Sequence, residues 1–173
     1  MWNEQIIMML LEGIKDTLYM TLTSTLIGYV IGLPMGILLT VTDKDGIHPN
    51  AAVYKVLDVI ANLIRSVPFL ILLIVLIPFT RFLIGRSYGP TATIVPLVIA
   101  AAPYIARMVE SSLKEVDAGV IEAARSMGAS NFTIVTKVML VEARTSLIVG
   151  ATISLGTILG SVSYTHLTLP TTS

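Results

Sequence analysis

The sequence has no cysteine, so it can form neither a disulfide bridge nor a metal site built on thiolates. Histidine is nearly absent as well, with only His48 and His166, which argues against a histidine-based metal or catalytic centre. Charged residues make up 13% of the chain and sum to a formal net charge of zero, so nucleic acid is not an expected partner. The chain also lacks a Gly-x4-Gly-Lys-Ser/Thr phosphate loop, the usual ATP-binding motif.

What the chain has in excess is apolar residues, at 54% of its 173 positions, with a mean hydropathy of +0.85. A soluble fold of this length could not bury so much apolar surface, so lipid is the expected solvent. Because lipid offers the backbone no hydrogen-bonding partners, the membrane-crossing segments are expected to be helices. The predicted fold class is therefore all-α, a polytopic transmembrane helical bundle.

Four segments can each supply the roughly 20 mostly apolar residues of a membrane-crossing helix. They are residues 17–41, residues 67–79 with an extension on one side, residues 91–106 and residues 145–162. Residues 51–65 are instead predicted to form an amphipathic helix lying at the inner interface. Its Lys55, Asp58 and Asn62 lie on the opposite side from its apolar residues.

The distribution of lysine and arginine predicts the orientation of these spans. With segment 107–144 on the inner side, eight basic residues lie inside and three lie outside. We therefore expect the N-terminus outside and segment 107–144 in the cytoplasm. The inner set is Lys44, Lys55, Arg65, Arg107, Lys114, Arg125, Lys137 and Arg144, and the outer set is Lys15, Arg81 and Arg86.

The spans contain few candidate functional residues. Gly28, Gly32 and Gly36 recur every four residues, a pattern assigned to close helix packing. Almost no ionisable residue lies away from the span ends, which argues against a proton-coupled carrier and places the energy source outside the chain. Arg65 and Arg107 lie closest to the spans, and either could face a solute carboxylate, but interfacial snorkelling is the preferred interpretation.

Segment 107–144 is polar and holds ten of the charged residues. Asp117 is a predicted helix N-cap, residues 118–127 favour helix, and Gly128 can adopt the left-handed conformation that ends one. Ser130 can then cap a second helix. One face of that second helix is expected to hold Phe132, Val135 and either Val138 or Met139.

Small residues on the first of these helices indicate a docking role. Ala123 and Ala124 would keep one side of the helix thin enough to enter a groove. Glu122 and Arg125 would offer charged hydrogen bonds at the edge of that groove. The alternative is a solvated loop with an alanine-rich turn.

The pattern Glu122-Ala123-Ala124-x3-Gly128, placed before a late span, resembles the coupling motif of the membrane subunits of binding-protein-dependent ABC importers. Four further stretches resemble the methionine-importer branch of that family, and the resemblance covers residues 17–160. These stretches are IGLPMG at 31–36, RSVPF at 65–69, IPFTR at 77–81 and APYIARMVE at 102–110.

The resemblance implies the ABC importer permease fold, with about four spans present and a further span missing. It implies a transport subunit of the bacterial inner membrane that moves methionine (L or D) and has no catalytic residues, metal or cofactor of its own. Its partners would be a cytoplasmic ATPase subunit that binds ATP, a second permease copy, a periplasmic or lipid-anchored solute-binding protein, and membrane lipid. Coupling would fall to Glu122, Ala123, Ala124, Arg125 and Gly128, and the translocation path to Arg65, Ser66, Pro68 and Pro103.

Two departures from the family pattern leave alternatives open. Val141 stands where the family usually has proline, and residues 161–173 form a Ser/Thr-rich stretch. We therefore expect a permease domain over residues 1–160, truncated and followed by a non-native or disordered tail. A permease for another amino acid or small solute, and a non-transporting membrane fragment, are the alternative interpretations.

Overall fold

The structure is a computed structural model that describes the backbone of residues 4–168 and the side chains of residues 4–163. Over this range the chain folds as an all-helical bundle, as predicted. Its helices are α1 (Glu4–Thr42), α2 (Ala51–Ser66), α3 (Phe69–Val75), α4 (Ile77–Ile84), α5 (Pro90–Lys114), α6 (Ala118–Ser126), α7 (Asn131–Thr133), a π-helix (Ile134–Met139), α8 (Leu140–Glu142) and α9 (Arg144–Thr168).

Three helices in the described range, α1, α5 and α9, are long and apolar enough to cross a membrane. If α2 and α3 form one bent span, the described range contains a fourth membrane-crossing segment, with a bend of 101° between the two helices. Residues 67–79, predicted to reach spanning length with an extension on one side, therefore do not form one continuous helix. Val67 is extended, and Pro68 caps the start of α3. A second break lies at Leu76, just before Pro78 in the first turn of α4. Both breaks precede a proline, which has no N–H to continue a helix.

Helix α5 forms the centre of the bundle and packs against α1, α2 and α9. Close contact with α1 depends on glycine, because a Cβ atom on Gly32 would lie 2.7 Å from the carbonyl oxygen of Ala102. A Cβ on Gly36 would lie 2.6 Å from that of Ala106, and one on Gly28 would lie 3.0 Å from the Ile105 side chain. The glycine strip thus lets two backbones approach more closely than any side chain would allow.

Helix α9 continues without interruption past Gly160 to Thr168. Val162 is fully buried and belongs to a core cluster with Met20 of α1 and Leu97 of α5. The structure therefore shows no change at Ser161, where the sequence pattern predicts the end of the permease domain. Residues 169–173 of the expected tail lie outside the described range.

Helix α2 is amphipathic, and part of its polar side faces the bundle, whereas Lys55 is exposed. Asp58 and Asn62 both accept hydrogen bonds from Arg107 of α5, and Ala61 between them is fully buried. Apolar side chains such as Leu63 point away from the bundle and are exposed. The Arg107 guanidinium therefore draws part of the polar side inward, and the position of α2 at the inner interface stays a prediction.

Candidate functional site

The segment after α5 folds as a helix, a tight turn and a second helix, as the sequence predicts. The Asp117 carboxylate accepts a hydrogen bond from the backbone N–H of Gly119 at 2.7 Å and caps α6. Gly128 ends the helix with φ of 82°, the left-handed region that favours glycine. The Ser130 hydroxyl then accepts from the N–H of Thr133 at 3.2 Å and caps α7.

The second helix differs from the prediction because it turns into a π-helix. The N–H of Leu140 bonds to the carbonyl of Val135, five residues back, which changes the register between the side chains before and after the π-helix. Val135 and Met139 are buried, together with Ile134, whereas Phe132 is 78% exposed. Phe132 therefore does not share a face with Val135 and Met139, and the predicted face is wrong.

Of the two alanines of α6, one is buried and the other is exposed. Ala124 is 5% exposed and packs in the same core cluster as Ile134 and Met139. Ala123 is exposed, and with Val120 and the 82% exposed Met127 it lines the outer side of the helix. Successive residues on a helix point about 100° apart, so the pair cannot form one thin side. Only Ala123 is available to a partner.

Arg125 is also turned toward the rest of the chain. Its guanidinium donates a hydrogen bond to the backbone carbonyl of Ile47 at 3.2 Å. Ile47 lies in the connection between α1 and α2, so this bond ties α6 to the ends of two other helices. The Glu122 carboxylate, by contrast, is exposed and has no hydrogen-bond partner among the described side chains.

A cleft of about 520 Å³ separates α6 from the α1–α2 connection. Its walls include Asp43, Lys114, Glu122 and Arg125, so charged groups of both signs surround it. The Lys114 ammonium lies 2.7 Å from the Asp43 carboxylate. This hydrogen bond lowers the pKa of Asp43 below its ordinary value, although partial burial opposes the effect.

An ion-pair network joins α1, α2 and α5 beside this cleft. Lys114 bridges Asp43 to Glu110, which it meets at 2.8 Å, and Glu110 accepts from Arg107 at 2.7 Å. Arg107 is in turn paired with Asp58 of α2. The Glu110 side chain is only 6% exposed, so two cations compensate one buried carboxylate. We refer to these five residues as the charge network.

Sequence reasoning missed the charge network and interpreted Arg107 as a snorkelling side chain. The spacing of Arg107, Glu110 and Lys114 by three and four residues was a visible signal, since such residues are neighbours on a helix. The partners on α1 and α2 depend on tertiary packing, and no local pattern indicates them.

The residues predicted for a translocation path are not gathered in one place. Arg65 lines a cavity of about 290 Å³ between the α2–α3 bend, α5 and α9. The Ser66 hydroxyl donates to the carbonyl of Asn62 at 2.7 Å, within its own helix. Pro68 is exposed at the start of α3, and Pro103 is buried within α5. Only Arg65 of the four reaches the cavity.

The described residues contain no group of three or more acidic, histidine or cysteine side chains placed to hold a metal ion. A short capped helix presents apolar side chains outward, and its opposite side is fixed to the core of a membrane bundle.

Comparison with known proteins places these features in a family. Residues 7–170 match the sequence family described as binding-protein-dependent transport system inner membrane component. The D-methionine transport system permease protein MetI of Salmonella typhimurium (strain LT2) is 49% identical over 158 residues, which are 91% of this chain and 73% of that protein. The protein of the same name from Escherichia coli (strain K12) gives the same values.

Solved structures agree with the sequence comparison. A structure described as an inward-facing conformation of the MetNI methionine ABC transporter superposes with a TM-score of 0.92 at 48% identity. The match covers 94% of this chain and 76% of that one. An amino acid ABC transporter solved with histidines gives a TM-score of 0.70 at 22% identity, over 96% of this chain and 77% of the other, and shows a shared fold alone.

Proposed function

The chain belongs to the family of binding-protein-dependent transport system inner membrane components, and from this premise we propose that it is the membrane-spanning subunit of an ATP-driven methionine importer. The proposal of methionine, in its L or D form, rests on the 49% identity to permeases named for D-methionine transport, over 91% of the chain. The protein has no ATPase site of its own in this proposal, and a partner subunit binds ATP.

The proposed assembly contains two copies of this permease, two ATPase subunits and a solute-binding protein that delivers the solute. Its support is the structural match to the MetNI methionine ABC transporter. The end of the bundle that carries α6 faces the cytoplasm, and the N-terminus lies outside. The excess of lysine and arginine near α6 supports this orientation in a bacterial inner membrane.

The observation that carries the coupling role is the outer side of α6. Val120 and Met127 are large apolar residues exposed on an otherwise polar segment, with Ala123 between them. Phe132 adds a further exposed ring just beyond the turn at Gly128. Exposed apolar residues clustered in this way mark a protein interaction surface, and we assign this one to the ATPase subunit. We refer to these four residues as the coupling surface.

The opposite side of α6 explains how a push on the coupling surface reaches the bundle. Ala124 lies in the core with the π-helix, and Arg125 holds the backbone at Ile47. The charge network then joins the segment just after α1 to α2 and α5. Closure of the ATPase pair on nucleotide binding would therefore tilt these helices together, from an inward-open to an outward-open bundle. Glu122, with its free carboxylate, would add a charged bond to the ATPase.

The domain organisation of this proposal follows the helices. The permease domain includes α9 beyond Gly160, and residues 107–144 hold the coupling elements. The Glu122, Ala123 and Gly128 positions serve the contact with the ATPase, whereas Ala124 and Arg125 fix the helix to its own subunit.

Uptake into membrane vesicles tests this function. The full-length protein that contains this chain is reconstituted with its ATPase and binding protein, and radiolabelled methionine is supplied outside. We expect ATP-dependent accumulation that excess unlabelled methionine suppresses, and no accumulation without the binding protein. Accumulation of a different amino acid in preference to methionine would overturn the solute assignment, and uptake independent of ATP would overturn the mechanism.

A further inference from the structure

Arg65 occupies an unusual depth in the bundle. The cavity that it lines also includes Leu97 and Tyr104 of α5, which lie on either side of the midpoint of the membrane-crossing segment Pro90–Lys114. Thr157 of α9 lines the cavity on the other side. The Arg65 side chain therefore lies level with the middle of a spanning helix and not at its end.

The charge on Arg65 is not compensated within the described part of the chain. Arg107 is paired with Asp58 and Glu110. Arg65, by contrast, has neither an ion pair nor a hydrogen bond to another described residue. Its side chain is exposed at the cavity. A cation at mid-depth is costly in a membrane unless it meets an anion or a water-filled path, so it marks a functional position.

The other walls of the cavity combine hydroxyl groups with apolar surface. The Thr157 and Tyr104 hydroxyl oxygens lie 3.4 Å apart and face the same space. Phe69, Leu97 and Ile158 supply the apolar lining. The volume of about 290 Å³ lies just below the usual range for small-molecule sites, which suits a single amino acid.

We propose that Arg65, with the Tyr104 and Thr157 hydroxyls, forms a subsite for the carboxylate of an amino acid with an apolar side chain, and that the solute occupies it during translocation. This inference rests on the proposed function, which supplies a solute of that class. The guanidinium binds the carboxylate through two parallel hydrogen bonds, and the apolar wall receives the side chain. Release follows when the helix tilt separates α2 from α9.

The test compares uptake with ATP hydrolysis in the reconstituted full-length complex. Arg65→Gln removes the charge, Arg65→Lys keeps it without the two-pronged geometry, and Tyr104→Phe removes a single hydroxyl. Arg86→Gln, in the connection between α4 and α5, is the matched control. Initial rates of methionine uptake and of ATP hydrolysis stimulated by the loaded binding protein are measured side by side.

We expect Arg65→Gln to lower the methionine moved per ATP hydrolysed by about tenfold or more, the scale of one lost charge-assisted hydrogen bond. Arg65→Lys should recover part of that loss, and Tyr104→Phe should show a smaller decrease with normal ATP hydrolysis. Arg86→Gln should match the wild type in both rates.

Unchanged uptake by Arg65→Gln would overturn the subsite. So would an equal loss of uptake and ATP hydrolysis in both Arg65 variants with no effect of Tyr104→Phe, because that pattern indicates structural support. These results differ from failure of the proposed function, in which the wild-type complex itself moves no methionine.

Discussion

The inner and outer sides of α6 use the same small residue in different surroundings. On the inner side, Ala124 is 5% exposed and packs with Ile134 in the core, beside Arg125 and its bond to Ile47. On the outer side, Ala123 is flanked by the exposed Val120 and Met127. The difference shows that the inner side of α6 determines the position of the helix and that its outer side determines what the helix can bind. Substitutions on the two sides should therefore cause separable defects.

The largest difference is expected between Ala124→Glu and Ala123→Glu. At position 124 the new carboxylate would be buried in an apolar cluster without a partner, so α6 should detach from the core and the protein should lose several kcal/mol of stability. At position 123 the same carboxylate stays in water and should change stability by less than about 0.5 kcal/mol. Thermal unfolding of the purified protein measures both. Equal loss at the two positions would break the comparison.

Gly128→Val should have an intermediate effect. Gly128 has φ of 82°, and a side chain at this left-handed position costs about 1 to 2 kcal/mol, more for a β-branched one. The strain should fray the end of α6 and move Met127, which weakens binding of the ATPase subunit. Gly156→Ala is the control, since that helical position has open space for a Cβ. Normal ATPase binding by Gly128→Val in a co-purification experiment would contradict this expectation.

Arg125→Gln should give the smallest effect. It removes one hydrogen bond of 3.2 Å to the Ile47 carbonyl at an exposed site, worth about 0.5 to 1.5 kcal/mol. Because the coupling surface is untouched, the ATPase should still bind, while the amount of solute moved per ATP hydrolysed should fall. Glu142→Gln, on the short helix α8, is the control. Loss of ATPase binding by Arg125→Gln would place Arg125 on the outer side instead.

The ends of α6 and the start of α7 were predictable because helix caps are local. Asp117 and Ser130 bond to N–H groups two and three residues ahead, and Gly128 alone tolerates the turn between them. The glycines of α1 were visible as a spacing pattern for the same reason. The overall all-helical fold follows from the hydrophobic runs and the demands of lipid.

Features that depend on packing between distant segments were not predictable. The split between Ala123 and Ala124 exists because the π-helix supplies a core for one of them, and a π-helix has no clear sequence signal. Phe132, which precedes the π-helix, is exposed. The inward-facing polar side of α2 depends on Arg107, which the sequence places 45 residues beyond Asn62. The hydrophobic periodicity of a sequence predicts an amphipathic helix, but it does not predict which side of that helix packs against the rest of the protein.

Cross-linking tests the coupling surface most directly, because the chain has no cysteine and a single one can be introduced cleanly. Ala123→Cys and Ala124→Cys are compared in membranes that contain the ATPase subunit, with a reagent that joins a thiol to a nearby amine. We predict a permease–ATPase product from Ala123→Cys and none from Ala124→Cys. Absence of that product from Ala123→Cys, with reaction of its thiol only from the outer side of the membrane, would contradict the account.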